Sequence, residues 1–281
     1  MSMKLYFTVG AYLAGMVFLG SLACDTTKSI AGSSPEGYDF SAGERMGLSS
    51  RLEEVSGIAF GPGGENVLMA VNDEEGKLYS IALNEPGRDT TLITFAKAGD
   101  YEDLAFSNGR WRVLESNGAI ITLLEGQQQG EPNSVKTKIL PKGEYEGMAF
   151  WNERLYVICK LCPANQNSEA TIYTIKVTGD SLVLEGEQAV DFSLAVQGKK
   201  KKFQASAIAR HPITGDWFIL SHLLGTLVVT DLDFMVKQVV KLQRSQFFQP
   251  EGLAFAANGD LFISSEGDKS AGYIFRFKYQ K

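Results

Sequence analysis

The strongest constraint on this chain is a short phrase that it states five times. Gln249-Pro250-Glu251-Gly252-Leu253-Ala254-Phe255 is the plainest copy. Glu54-Val55-Ser56-Gly57-Ile58-Ala59-Phe60, Asp100-Tyr101-Glu102-Asp103-Leu104-Ala105-Phe106 and Glu144-Tyr145-Glu146-Gly147-Met148-Ala149-Phe150 are three more. Gln204-Ala205-Ser206-Ala207-Ile208-Ala209-Arg210 is a weaker fifth. The shared alanine recurs about every 45 residues, with one wider gap between Ala149 and Ala209; a period near 40–45 with strand-like content belongs to propeller blades. Each copy is followed by a turn and a second hydrophobic strand with a polar end, as in Asn258-Gly259-Asp260 leading through Leu261-Phe262-Ile263 to Glu266. No stretch sustains a helical period, so the expected fold is all-β, a five-bladed β-propeller.

The last repeat is one strand short, because strands near 249–256, 260–265 and 272–279 exhaust the chain. A propeller must close its ring, and a strand borrowed from the other terminus does so. The segment 38–47, which has no blade of its own, is therefore expected as the outer strand of the last blade. The blades would run over 49–97, 98–141, 142–195, 200–245, and 246–281 with the early strand. The extra length of the third repeat is placed in the loop 161–170 and in the region before Phe203. A charge of −6 over 281 residues offers no basic surface for nucleic acid, and a monomer is expected. Lys199 to Lys202 reads as a solvated loop.

Residues 1–24 read as a leader rather than as part of the fold. Lys4 precedes the apolar run Leu5 to Leu19, too short for a comfortable span and suited to a signal-peptide core. Ser21-Leu22-Ala23-Cys24 resembles a bacterial lipobox, with Ser21 where leucine is usual, so Cys24 is the expected lipidation site. A plain signal peptide cut nearby, with Cys24 incidental, is the alternative. Residues 25–37, rich in Ser, Thr and Gly, read as a flexible tether holding the body 38–281 off a membrane. These readings place the protein in the cell envelope, facing outside the cytoplasm.

Across 38–281 the phrases, the stretch Ala205-Ser206-Ala207-Ile208-Ala209-Arg210-His211-Pro212-Ile213-Thr214-Gly215-Asp216 and the closing Ile263-Ser264-Ser265-Glu266-Gly267 resemble the SdiA-regulated family of bacterial envelope proteins. The most specific part is the order Ser, Glu, Glu, Ser, Glu three residues before each alanine. The resemblance implies a five-bladed propeller distantly similar to NHL-repeat propellers, a bound calcium and an N-terminal signal or anchor. It implies no reaction.

In a propeller the first strand of each blade lines the central channel, so Ser56, Glu102, Glu146, Ser206 and Glu251 should gather round the axis. Three carboxylates there repel one another, and a hard cation relieves that cost. Glu102, Glu146 and Glu251 are the expected ligands of Ca²⁺, which takes six to eight oxygens. On spacing alone, a structural ring bonded to backbone N–H groups explains these residues equally well. The second strands end in Asp73, Glu115, Lys160, His222 and Glu266, expected near the same mouth and suited to a polar ligand. His222 is either a base or a hydrogen-bonded structural residue, and His211 is given no role. Cys159 and Cys162 form an isolated C-x-x-C, read as a local disulfide pinning the 161–170 loop, with two free thiols as the alternative.

Two functions follow. The first is a lipid-anchored, calcium-binding module that binds or scaffolds an unidentified ligand or envelope protein. The second is a calcium-dependent hydrolase of esterase or lactonase type, in which calcium polarises a carbonyl or activates water and His222 or a glutamate serves as base. A phosphatase is disfavoured because the channel lacks the Lys and Arg that phosphate requires.

Overall fold

In a computed structural model, residues 33–281 are described apart from 63, 65, 86, 88, 125–133, 199, 268 and 269. The leader, Cys24 and most of the tether lie outside the described residues. Five antiparallel four-stranded sheets make five blades. From the axis outward, the first blade holds Val55–Phe60, Val67–Asn72, Lys77–Ala82 and Asp89–Thr94. The second holds Tyr101–Ser107, Arg110–Glu115, Ala119–Leu123 and Ser134–Lys138, and the third Glu144–Trp151, Arg154–Leu161, Glu169–Thr178 and Ser181–Asp191. The fourth holds Ala207–Arg210, Trp217–Ser221, Thr226–Thr230 and Val236–Lys241. The fifth runs Gln249–Phe255, Leu261–Glu266, Tyr273–Phe277 and, outermost, Glu44–Gly47. Each inner strand touches the inner strand of the next blade, and Gln249–Phe255 touches Val55–Phe60, which closes the ring.

Local chemistry explains the strands. Second and third strands such as Val113, Leu114, Ile120 and Ile121 are buried because sheets flank them on both sides. Outer strands such as Ser134–Lys138 are largely exposed, and their lysines blunt the open edge. Asn108 and Gly109 both take positive φ (48° and 77°), the turn that a two-residue hairpin requires. The core is divided into five apolar clusters, one between each pair of neighbouring blades. Every fully buried Leu, Ile or Phe in them contributes on the order of 1.5–3 kcal/mol relative to exposure.

Three features differ from the sequence reading in detail. The closing strand is Glu44–Gly47, pairing with Tyr273–Phe277, rather than the whole of 38–47. Asp39 accepts from the backbone N–H of Ser41 at 2.9 Å and caps a short 3₁₀ turn, Phe40–Ala42, which competes locally with strand. Tyr38 and Phe40 act as a plug: Tyr38 Oη donates to the Gly259 carbonyl at 2.6 Å, and the Phe40 ring lies 4.4 Å from that of Phe277. Fixed contacts begin earlier still, inside the segment read as tether, where Gln238 Nε2 donates to the Ser34 carbonyl. Much of the third repeat's extra length goes into its outer hairpin, whose strands run to 10 and 11 residues. The rest forms the 162–168 loop and a short helix, Ser193–Val196. Among the described residues no helix is long and apolar enough to cross a membrane.

Removing residues up to Gly32 is expected to leave the melting temperature unchanged. Removing residues up to Gly47 should strip the plug and the closing strand. The cost is expected to exceed the roughly 3–5 kcal/mol lost on truncating one buried aromatic. Equal denaturation midpoints for the two truncations would refute this account of closure.

Candidate functional site

The inner strands do more than line the axis. In the first, second, third and fifth blades the pairing register slips at the same place, across Ser56, Glu102, Glu146 and Glu251. Each of these residues is thus the extra residue of a β-bulge, or part of it. A bulge kinks the strand and re-aims the side chain. In the fourth blade Ser206 sits just before the strand, and its backbone N–H donates to the Leu220 carbonyl at 2.9 Å. The next position is crowded by the neighbouring blade. A Cβ on Gly147 would come within 2.8 Å of Ile208 N, and one on Gly252 within 2.5 Å of Ser56 O. Small residues are required there, which is why glycine or alanine follows the bulge in four copies.

The second blade breaks that rule with Asp103. Its carboxylate is fully enclosed and ties two blades together, Oδ2 accepting from Met148 N–H at 2.7 Å and Oδ1 from Leu104 N–H at 2.8 Å. Burial raises its pKa well above the usual range, against the pull of those two bonds. The sequence reading missed this residue, although its signal was present as the one acid at a glycine position.

The two serines of the ring are structural in their contacts. Ser206 Oγ donates to the Pro250 carbonyl at 3.1 Å, and the Ser56 carbonyl accepts from Ser264 Oγ at 3.1 Å. The three glutamates do not bond backbone in this way. Lys160 Nζ reaches Glu146 at 2.6 Å, and His222 Nδ1 lies 3.1 Å from Glu251. Glu102 bonds Asp100. Glu266 bonds Gln249 and lies in the field of Glu251 and Asp73. Glu115 points elsewhere, to Lys136 Nζ at 2.6 Å on the outer strand of its own blade and to Asn117. The sequence therefore placed it in a group that the structure does not complete. Two further acids were overlooked, Glu54 and Asp100. Both occupy the phrase position two before the bulge, where the other copies carry Glu144, Gln204 and Gln249.

This end of the channel holds Glu54, Asp73, Asp100, Glu102, Glu146, Glu251 and Glu266 against Lys160 and His222. The excess charge shows in the titration of the cluster. Burial, then Glu146 and Asp100, hold Glu102 far above the carboxylate range. Glu146 is raised by burial and by Glu251 although Lys160 opposes the rise. Burial, Glu251 and Asp73 push Glu266 up to about 7. Burial, with Glu54 and Glu74, pushes Asp73 up to about 6, and its Oδ1 is buried without a hydrogen-bond partner. Cys159 and Cys162 are joined in a disulfide that brackets Lys160. Beside it a cavity of about 430 Å³ is lined by Lys142, Lys160, Lys202 and Glu169.

The donor chemistry fits a hard cation, since the acids supply oxygen donors and Lys160 relieves only part of their repulsion. The arrangement is not a closed cage. Among the described residues no three acidic, His or Cys side chains are grouped to hold a metal ion. Two of the three expected ligands are already engaged by Lys160 and His222.

Fold and channel together define a five-bladed β-propeller. No family model matches the sequence, and no curated protein matches it either. Solved structures match its fold. A glutaminyl cyclase from Myxococcus xanthus is 15% identical with a TM-score of 0.53, over 85% of this chain and 96% of that one. A streptogramin B lyase is 12% identical with a TM-score of 0.50, over 84% and 97%. Regucalcin from Agrobacterium tumefaciens, a calcium-binding protein, is 12% identical with a TM-score of 0.48, over 82% and 92%. At these identities the likeness concerns the fold alone.

The raised carboxylates set a pH dependence. A group whose folded pKa lies above its unfolded value binds more protons when folded, so stability falls as pH rises through that interval. For Asp73 and Glu266 the interval runs from about 4, the unperturbed value, to about 6 and 7 respectively. Metal-free protein should therefore melt higher at pH 5 than at pH 8. The double variant D73N/E266Q should flatten that difference. A wild-type melting temperature that rises from pH 5 to pH 8 would contradict it.

Proposed function

We propose that this protein is a cation-binding propeller of the cell envelope, of the kind the SdiA-regulated family represents. It is anchored by lipid at Cys24 and uses its acidic channel mouth to take up calcium. Its role is that of a binding or scaffold module whose ring the ion stiffens. The observation that carries this reading is the surplus of carboxylates at one end of the channel, four of which, Asp73, Glu102, Glu146 and Glu266, are held above the carboxylate range chiefly by desolvation. Such a surplus is tolerated only by protonation or by a counter-ion. Because the residues form no cage, the ion would keep part of its water and be held by the field of Glu102, Glu146, Glu251 and Glu266. Micromolar to millimolar affinity suffices outside the cytoplasm.

Calcium binding only the folded form raises stability by about 2.7 kcal/mol at a hundredfold excess over Kd. Chelation should thus lower the melting temperature at pH 8, and much less at pH 5, where protons already neutralise the mouth. Glu146→Gln should weaken the response to calcium. Melting curves that chelator leaves unmoved at both pH values, with no calcium by elemental analysis, would end the reading.

The second reading, a hydrolase, draws on the His222–Glu251 contact. A carboxylate on Nδ1 orients an imidazole and leaves Nε2 as its working nitrogen. An ester and lactone screen with and without calcium separates the two. Turnover abolished by H222Q favours the enzyme, and none favours the binding module.

For the anchor, mass spectrometry of the native protein should find Cys24 acylated and N-terminal. An unmodified Cys24, or an N-terminus elsewhere, would remove the membrane from the account.

A further inference from the structure

Beside the acidic mouth, in the seam between the fourth and fifth blades, lies a cavity of the opposite chemistry. It holds about 260 Å³ and is lined by Lys201, His222, Lys241 and Arg244, with Phe247 and Phe248 in its apolar wall. Among the described residues no carboxylate lines it. The calcium reading does not use it.

Charged ends, and not stems alone, stand at this cavity. Lys201, from the run read as a solvated loop, donates from Nζ to the Leu223 carbonyl at 3.2 Å, and Leu223 is part of the wall. The Arg244 guanidinium lies 5.5 Å over the Phe248 ring, which is wall as well. Neither Lys241 nor Arg244 is paired with an acid among the described residues. His222 Nδ1 lies 3.1 Å from Glu251, which is not part of the wall.

The turns that carry these groups are braced by backbone bonds. Gly225 N–H donates to the His222 carbonyl, and Leu242 N–H to the Gly225 carbonyl, each at 2.9 Å. Gln246 and Phe247 N–H both donate to the Gln243 carbonyl at 2.9 Å. Tyr273 Oη clamps that turn, donating to the Gln246 carbonyl and accepting from Phe248 N–H, both at 3.0 Å. Three permanent positive charges are thus held round one cavity by backbone rather than by acids.

Like charges gathered without an acid repel one another, and a bound anion removes that cost. Three cations call for more than one negative charge, so a monocarboxylate would leave the site uncompensated. A phosphate dianion has the charge, and its oxygens accept from a guanidinium fork and from ammonium groups together.

We propose that this cavity binds a phosphate dianion, free or as the terminal group of a phosphomonoester, on Arg244, Lys241 and Lys201.

Titration calorimetry of the folded protein in chelator, with inorganic phosphate, glycerol 3-phosphate and acetate, is the test. Saturable binding of a phosphate is expected, with acetate at least tenfold weaker. Flotation with phosphatidylcholine vesicles, with and without phosphatidate, separates a lipid source of the group from a soluble one. The double variant K241M/R244M, at two exposed positions, should weaken phosphate at least tenfold. Should it melt early, Lys201→Met on the facing wall repeats the test. Lys278→Met removes a lysine paired with Glu44 elsewhere and should leave phosphate affinity unchanged. Because calcium is absent throughout, the calcium reading can fail while this one stands, and the reverse. The proposal is overturned by no binding of either soluble phosphate or of phosphatidate vesicles, by acetate binding as tightly as phosphate, by unchanged affinity in the folded cavity variants, or by an equal loss in Lys278→Met.

Discussion

Five inner strands converge on one axis, and the shortage of room there shapes everything near it. At the crossing position a Cβ on Gly57 would sit 2.5 Å from the Asp103 Cα, and one on Gly252 equally close to the Ser56 carbonyl. The strands can approach this closely only by kinking, and the bulge at the preceding residue supplies the kink. The same bulge throws that residue's side chain toward the channel. A packing requirement and a functional opportunity are therefore one feature of the backbone. Ser206 at this position spends its hydroxyl on a bond to the next blade, whereas glutamate adds charge to the mouth. The balance of the two, Ser56 and Ser206 against Glu102, Glu146 and Glu251, fixes how acidic this end becomes.

Burial then turns charge into chemistry. A carboxylate in water is indifferent to a neighbour several ångströms off, but desolvated acids at the channel mouth feel one another strongly. Lys160 answers part of the repulsion, with its place held by the Cys159–Cys162 bridge on either side of it. His222 Nδ1 lies 3.1 Å from Glu251. What is left over falls on Glu102, Asp73 and Glu266, whose pKa values rise. An internal lysine and an external cation are thus alternatives for the same field.

The repeat made the fold legible, because a strand that recurs with the same alanine must recur in the same place in the ring. Residues sharing a repeat position with a side chain aimed by the backbone, such as Glu102, Glu146 and Glu251, were legible for the same reason. Contacts made by long flexible side chains were not. Glu115 lies one residue before the position of Asp73 and Glu266, because it pairs with Tyr101 as Asn72 pairs with Val55 and Ser265 with Pro250, so its side chain takes the opposite face and meets Lys136. Asp103 was hidden differently. It replaces a glycine, and only the close approach of Met148 N–H shows why an acid is retained where space is shortest. The closing strand was legible as a missing partner, but its length was not. The Asp39 turn and the Tyr38 and Phe40 plug are tertiary choices that depend on Gly259 and Phe277 more than 200 residues away.

The two ends of the channel follow from reading one phrase in two directions. Its early positions carry acids and amides, its last position carries phenylalanine, and Arg210 interrupts that pattern only in the weakest copy. Degeneration of a repeat is usually the loss of a packing residue. Here the replaced phenylalanine is exchanged for a guanidinium that stacks on Trp151, so the aromatic contact is kept while a charge is gained. The fourth blade departs at both ends, with Ser206 where its neighbours carry glutamate and Arg210 where they carry phenylalanine. Both departures make that blade less acidic than the rest. A five-fold ring of identical blades would spread each end's charge evenly around the axis. Departures confined to one blade give each mouth a direction, and with it a side on which a ligand can be told from its mirror placement.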